Sequence, residues 1–130
     1  MTFRAKVYYE DTDAGGIVYH ANYLKFAERA RTEFLKEKGL SNQFFLAQGI
    51  GVVACHVEID YYAPAVLEDE LEIETRVLEI GKTSLSVEQE IFKDKIKTTR
   101  ILIKLVFVNK ETLRPVRVPE LIQEKLKQEE

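Results

Sequence analysis

Between Tyr8 and Leu35 the chain sets an acidic run, Glu10-Asp11-Thr12-Asp13, a Gly15-Gly16 pair and the entry His20-Ala21-Asn22 to an amphipathic segment. A carboxylate thus lies a few residues before a helix N-terminus. The first N–H groups of a helix have no intrahelical partner and carry the positive end of its dipole, so they can hold an oxyanion. A carboxylate beside them can attack a carbonyl directly or act as base toward water. The chemistry this pattern offers is acyl transfer.

The same residues carry a family likeness. Tyr9, Asp11, Thr12, Asp13, Gly16, Val18, Tyr19, His20, Asn22, Tyr23, Glu28, Arg29 and Arg31 match the pattern Tyr-x-Asp-Thr-Asp-x-x-Gly-x-Val-Tyr-His-x-Asn-Tyr followed by Glu-Arg-x-Arg. In this the chain resembles the hotdog-fold acyl-CoA thioesterases of the 4-hydroxybenzoyl-CoA thioesterase type, and within them the Tol-Pal-associated branch. The resemblance implies Asp13 as the catalytic carboxylate and the His20 backbone N–H as oxyanion donor, with the His20 imidazole assisting. Gly16, Tyr19 and Tyr23 would position the oxyanion or line the pocket. It also aligns Lys82, Thr83 and Ser84 with a segment that contacts the nucleotide of coenzyme A, which enters as part of the substrate and not as a cofactor. An acyl carrier protein as thiol handle, and a non-catalytic acyl-binding or partner-binding role at the cell envelope, are the alternative readings.

Each of these residues also has a plainer use. Asp13 could cap a turn, Glu10 and Asp11 could be solvated charges or structural helpers, and Tyr19 and Tyr23 could be packing. Glu28 and Arg31 have the spacing of an exposed helical ion pair. His56 beside Cys55 lacks the third partner of a nucleophilic triad. The run from Asp11 to Gly16 resembles the start of a calcium loop, but Gly15 and Asn22 stand where ligands are required, so no metal is expected.

With 130 residues, 45% hydrophobic and 32% charged, the chain suits one folded domain over residues 1–130. A net charge of -3 lacks the basic surplus of a nucleic-acid binder. Cys55 is the single cysteine, which excludes an internal disulfide and fits a reducing cytoplasm. The start, Met1-Thr2-Phe3-Arg4, shows no apolar signal core, and no apolar run reaches the ~20 residues that span a bilayer.

The elements that must position the site follow from periodicity. Phe3 to Tyr9 alternates as a first strand, and Asn22 to Lys38 reads as a helix with Asn22 as cap and Gly39 as stop. Tyr23, Ala27, Ala30 and Phe34 form its apolar stripe. Leu40 to Gly51 reads as a connector in which Phe44, Phe45 and Leu46 line a pocket or meet a partner. Strands are expected at Val52 to Tyr62, Glu70 to Ile80, Ser84 to Phe92 and Thr98 to Val108, and a short helix from Pro119 to Gln128. One helix followed by a meander predicts an α+β fold, a five-stranded antiparallel sheet wrapped around a long central helix. The resemblance adds the strand order 1-3-4-5-2 and a homodimer, or dimer of dimers, joined through the strand at Val52 to Tyr62.

Overall fold

The computed structural model describes residues 2–127. Its elements are β1 (Thr2–Lys6), a 3-10 turn (Tyr9–Asp11), α1 (Asn22–Glu37), α2 (Asn42–Ala47), β2 (Ile50–Tyr61), β3 (Glu70–Ile80), β4 (Ser84–Lys93), β5 (Ile96–Asn109) and α3 (Glu120–Lys127). All pairings are antiparallel, in the order β1-β3-β4-β5-β2. This is the hotdog arrangement, with the implied strand order. The expected end of α3 at Gln128 lies outside the described residues.

Several strand and helix ends shift by one or two residues from the sequence reading, and three differences bear on the site. β1 stops at Lys6, because Tyr9 is taken into the 3-10 turn that aims the acidic run at the helix. The expected connector contains a helix, α2, whose N-cap Ser41 accepts the Phe44 N–H at 3.1 Å through Oγ. Asn22 is not the cap of α1: Ala21 occupies that position without a side-chain bond, and the Asn22 amide is used elsewhere. At the other end Gly39, with φ +80°, closes α1 as expected.

α1 lies across one face of the sheet, and the strand alternation sends Leu71, Ile73 and Val77, Leu85, Val87 and Ile91, and Ile101, Ile103, Leu105 and Phe107 into the space beneath it. The buried apolar residues form two clusters. One gathers Phe34, Leu40, Phe45, Val77, Leu85, Leu105 and Phe107 with Ile122 and Leu126 of α3. The other gathers Val7, Val18, Tyr23, Phe26, Ala27, Ala30, Ala65, Leu71, Ile73, Ile91 and Ile101.

A polar layer runs between them. Gln89 is fully buried; its Nε2 donates to the Ala27 carbonyl at 2.7 Å and to Thr75 Oγ1 at 3.0 Å, and its Oε1 accepts from Arg31 Nη1 at 3.0 Å. Arg31 is therefore drawn toward the sheet and not out along a solvated face, and burial lowers its pKa while Glu28 opposes that shift. No ion pair joins it to Glu28 among the described residues.

Candidate active site

The loop between the 3-10 turn and α1 is a small closed structure. Thr12 and Val18 face each other in an antiparallel bridge, the Asp13 N–H donates to the Ile17 carbonyl at 2.9 Å, and the Gly16 N–H donates to the Asp13 carbonyl at 3.0 Å. Gly16 has φ +82°, a conformation open to glycine at no steric cost. The Asp13 carboxylate is exposed and receives the Gly15 N–H at 2.8 Å on Oδ1. Its other oxygen has no bond to any described residue.

Asp11 anchors this loop from beneath. It is 4% exposed; Oδ1 accepts from Asn22 Nδ2 at 2.6 Å, Oδ2 accepts the Tyr8 N–H at 2.8 Å, and its carbonyl accepts the Tyr19 N–H at 2.9 Å. The two carboxylates of the motif thus have separate positions. Asp11 is a buried tie between loop and helix, and Asp13 stands free on the surface.

His20 enters the helix through a turn in which the Asn22 N–H donates to the Tyr19 carbonyl at 2.8 Å. A trans peptide sets C=O and N–H on opposite sides, so the His20 N–H points away from α1, in the direction of the free N–H groups at a helix start. Among the described residues it has no hydrogen-bond partner. The exposed imidazole packs against Tyr19 with ring centroids 4.4 Å apart.

The sequence motif is silent on the segment that clamps this loop from the other side. Ala65, fully buried, accepts the Val18 N–H at 2.9 Å and donates its own N–H to the Tyr23 hydroxyl at 3.2 Å, while Ile17 bridges Val66. The buried Tyr23 is therefore a structural post: desolvation raises its pKa, the Ala65 N–H works against that rise, and Asp69 adds to it. Tyr61, at the end of β2, donates its hydroxyl to the His20 carbonyl at 2.7 Å. Only the Tyr61-Tyr62-Ala63-Pro64 run at a strand end hinted that this region mattered.

Lys82, Thr83 and Ser84 lie elsewhere within the chain. Their turn is tied by the Thr83 carbonyl to the Phe107 N–H at 2.9 Å and by the Lys82 carbonyl to the Val118 N–H at 2.7 Å, beside the first apolar cluster, whereas the Asp13 loop rests on the second. On the turn's side of the molecule α1, α2 and the start of β2 enclose an open groove of about 530 Å3, with Leu35, Phe45, Leu46, Ile50 and Val52 among its walls and Arg31 and Glu28 on its polar side. Phe44, only partly buried, packs on the core beside it. Among the described residues no cluster of side chains could hold a metal ion, and no helix is long and apolar enough to cross a membrane.

Residues 7–126 match the sequence model of the Thioesterase-like superfamily. An acyl-CoA thioester hydrolase of Escherichia coli O6:H1, YbgC, is 40% identical over 124 residues, covering 95% of this chain and 92% of that protein. The acyl-CoA thioesterase YbgC of Helicobacter pylori strain 26695 is 38% identical over 132 residues, covering 95% and 97%. The crystal structure of a probable thioesterase from Bartonella henselae superposes with a TM-score of 0.86 at 35% identity, over 92% of this chain and 98% of that one. With the carboxylate, the unpaired N–H and the fold all in agreement, the chain belongs to the Thioesterase-like superfamily.

Proposed function

We propose that the protein hydrolyses acyl-CoA thioesters to a free carboxylic acid and coenzyme A. The observation that carries this reading is the presence, on one pinned loop seven residues apart, of the exposed Asp13 carboxylate and the unpartnered, outward-pointing His20 N–H. The Gly16 N–H is engaged in its own turn, so the oxyanion falls to the helix entrance. Tyr19 flanks that entrance, Tyr23 holds it from within, and the Lys82 to Ser84 turn takes the nucleotide end of the substrate.

As the carbonyl carbon is attacked, its oxygen takes up negative charge and is met by the His20 N–H. In one route Asp13 removes a proton from water, the hydroxide adds to carbon, and the tetrahedral intermediate expels the thiolate, which is then protonated. In the other, Asp13 adds to the carbon, the thiolate leaves, and water hydrolyses the anhydride. Label found in the Asp13 carboxylate after a single turnover in 18O-water establishes the second route, since it arises only when water attacks the Asp13 carbonyl of the anhydride.

The working unit is a homodimer, which can pair into a dimer of dimers. β2 pairs with β5 on one edge, has no partner among the described residues on the other, and exposes Val53, Val57 and Tyr61. Two copies joined antiparallel along β2 bring the Tyr61 and His20 end of one beside the Ile50 to Val52 wall of the other's groove, so that the acyl group has walls and the carboxylate loses its open face. The exposed, unpaired Cys55 supports a reducing cytoplasmic setting.

Purified protein should release thiol from at least one of acetyl-, butyryl-, palmitoyl- and benzoyl-CoA, and Asp13→Asn should abolish release. Equal rates for the two proteins across the panel would refute the assignment. Turnover of matched acyl carrier protein thioesters shows whether the thiol handle is read.

A further inference from the structure

Tyr61 reaches from the end of the edge strand to the residue that starts the site. Its hydroxyl donates to the His20 carbonyl at 2.7 Å, and its ring meets Tyr23 edge-on, with centroids 5.5 Å apart and planes at 69°. Tyr23 is in turn buried and fixed by Ala65. Tyr61 is 48% exposed, so the edge contact with Tyr23 and the hydroxyl bond to His20 are what orient its ring.

The bond acts on a particular peptide unit. The carbonyl of His20 shares its plane with the N–H of Ala21, and among the described residues the Ala21 N–H, like the His20 N–H, has no hydrogen-bond partner. The peptide before His20 is held by the Asn22 N–H on the Tyr19 carbonyl at 2.8 Å. The peptide after it is held by Tyr61. Together the two bonds fix both planes at the helix entrance, and an O–H on one end of an amide strengthens the N–H at the other. Burial raises the Tyr61 pKa, with a further rise from Tyr23, so the phenol keeps the proton it donates through the neutral range.

We propose that Tyr61 is a positioning residue for thioester hydrolysis, fixing the His20–Ala21 peptide so that the Ala21 N–H joins the His20 N–H as a second donor to the oxyanion. The proposal rests on the hydrolytic reading above. It differs from a packing role in what it predicts, because the hydroxyl alone is at stake and the ring is not.

The test is Tyr61→Phe, assayed with butyryl-CoA and benzoyl-CoA beside Asp13→Asn, with thermal melts and 15N–1H spectra of the full chain. The expected result is a fall in kcat of about fivefold to tenfold, the effect of one hydrogen bond, with KM within about twofold and the Ala21 amide resonance displaced. If kcat stays within about twofold of wild type while Asp13→Asn is inactive, Tyr61 has no positioning role and the hydrolase reading stands. A rise in KM alone makes Tyr61 a substrate contact and overturns the proposal. So does a large fall in melting temperature with the Ala21 resonance unmoved, which marks a purely structural tyrosine. An active Asp13→Asn, or an inactive wild type, removes both the proposal and the reading beneath it.

Discussion

Replacing Asp11 by asparagine tests whether the loop is held by a buried charge-assisted tie. The side chain is 4% exposed and both its oxygens accept, from Asn22 Nδ2 at 2.6 Å and from the Tyr8 N–H at 2.8 Å. Asparagine has one acceptor oxygen and one NH2, so it can satisfy one donor while setting its own N–H against the other. The oxygen should turn to Asn22, which is buried, and leave the partly exposed Tyr8 N–H opposed. The loss is one hydrogen bond to a carboxylate plus the weakening of a second, about 2–3 kcal/mol. For a chain of this length that is a fall in melting temperature of roughly 10 °C. Calorimetry at fixed protomer concentration measures it, and a cycle of Asp11→Ala with Asn22→Ala should give a coupling of about 1.5–3 kcal/mol. A shift under about 2 °C, or simple additivity in the cycle, would show that the tie does not hold the loop.

Three further outcomes follow from the same geometry. His20→Ala should slow hydrolysis by less than about tenfold, far less than Asp13→Asn, because the backbone N–H survives; equal losses in the two variants would move the chemistry to the imidazole. Burial works to raise the pKa of Glu88, but its bonds to Arg76 at 2.6 Å and to Arg100 at 2.7 Å prevail and hold the carboxyl below its ordinary 4.5. Its contribution to stability is therefore complete above the unfolded value and lost as pH falls through 4.5 toward the lower folded value, so the urea midpoint should drop as pH falls below 4.5. That drop should flatten in Glu88→Gln, and an unchanged slope would be contrary. Sedimentation at micromolar concentration should show at least two copies per particle, and a monomer would contradict the β2 interface.

Much of the fold was written in local pattern. The period-two runs of β3, β4 and β5 and the stripe Tyr23, Ala27, Ala30 and Phe34 each needed only their own neighbours to be read. α2 was missed because Asn42 and Gly49 looked like loop punctuation, although Ser41 three residues before Phe44 was the available cap signal. Asn22 and Arg31 were misread for a different reason. A cap and an exposed ion pair are the local uses of those residues, whereas their actual partners, Asp11 and Gln89, sit 11 and 58 positions away in the chain. Asp13 and His20 stand as candidates on the motif alone, and both are exposed. Tyr61, 41 residues from the carbonyl it bonds, could not be named from the motif.

The polar layer of Thr75, Gln89 and Arg31 divides the interior into two compartments with different duties. One supports the loop of Asp13 and His20, and the other forms the floor of the groove between α1 and β2. Phe45 and Leu105 both lie on the groove side of the hydrogen-bonded partition. Under the proposed reading, trading bulky for small residues there would retune which acyl tails are accepted and leave the loop of Asp13 and His20 in place.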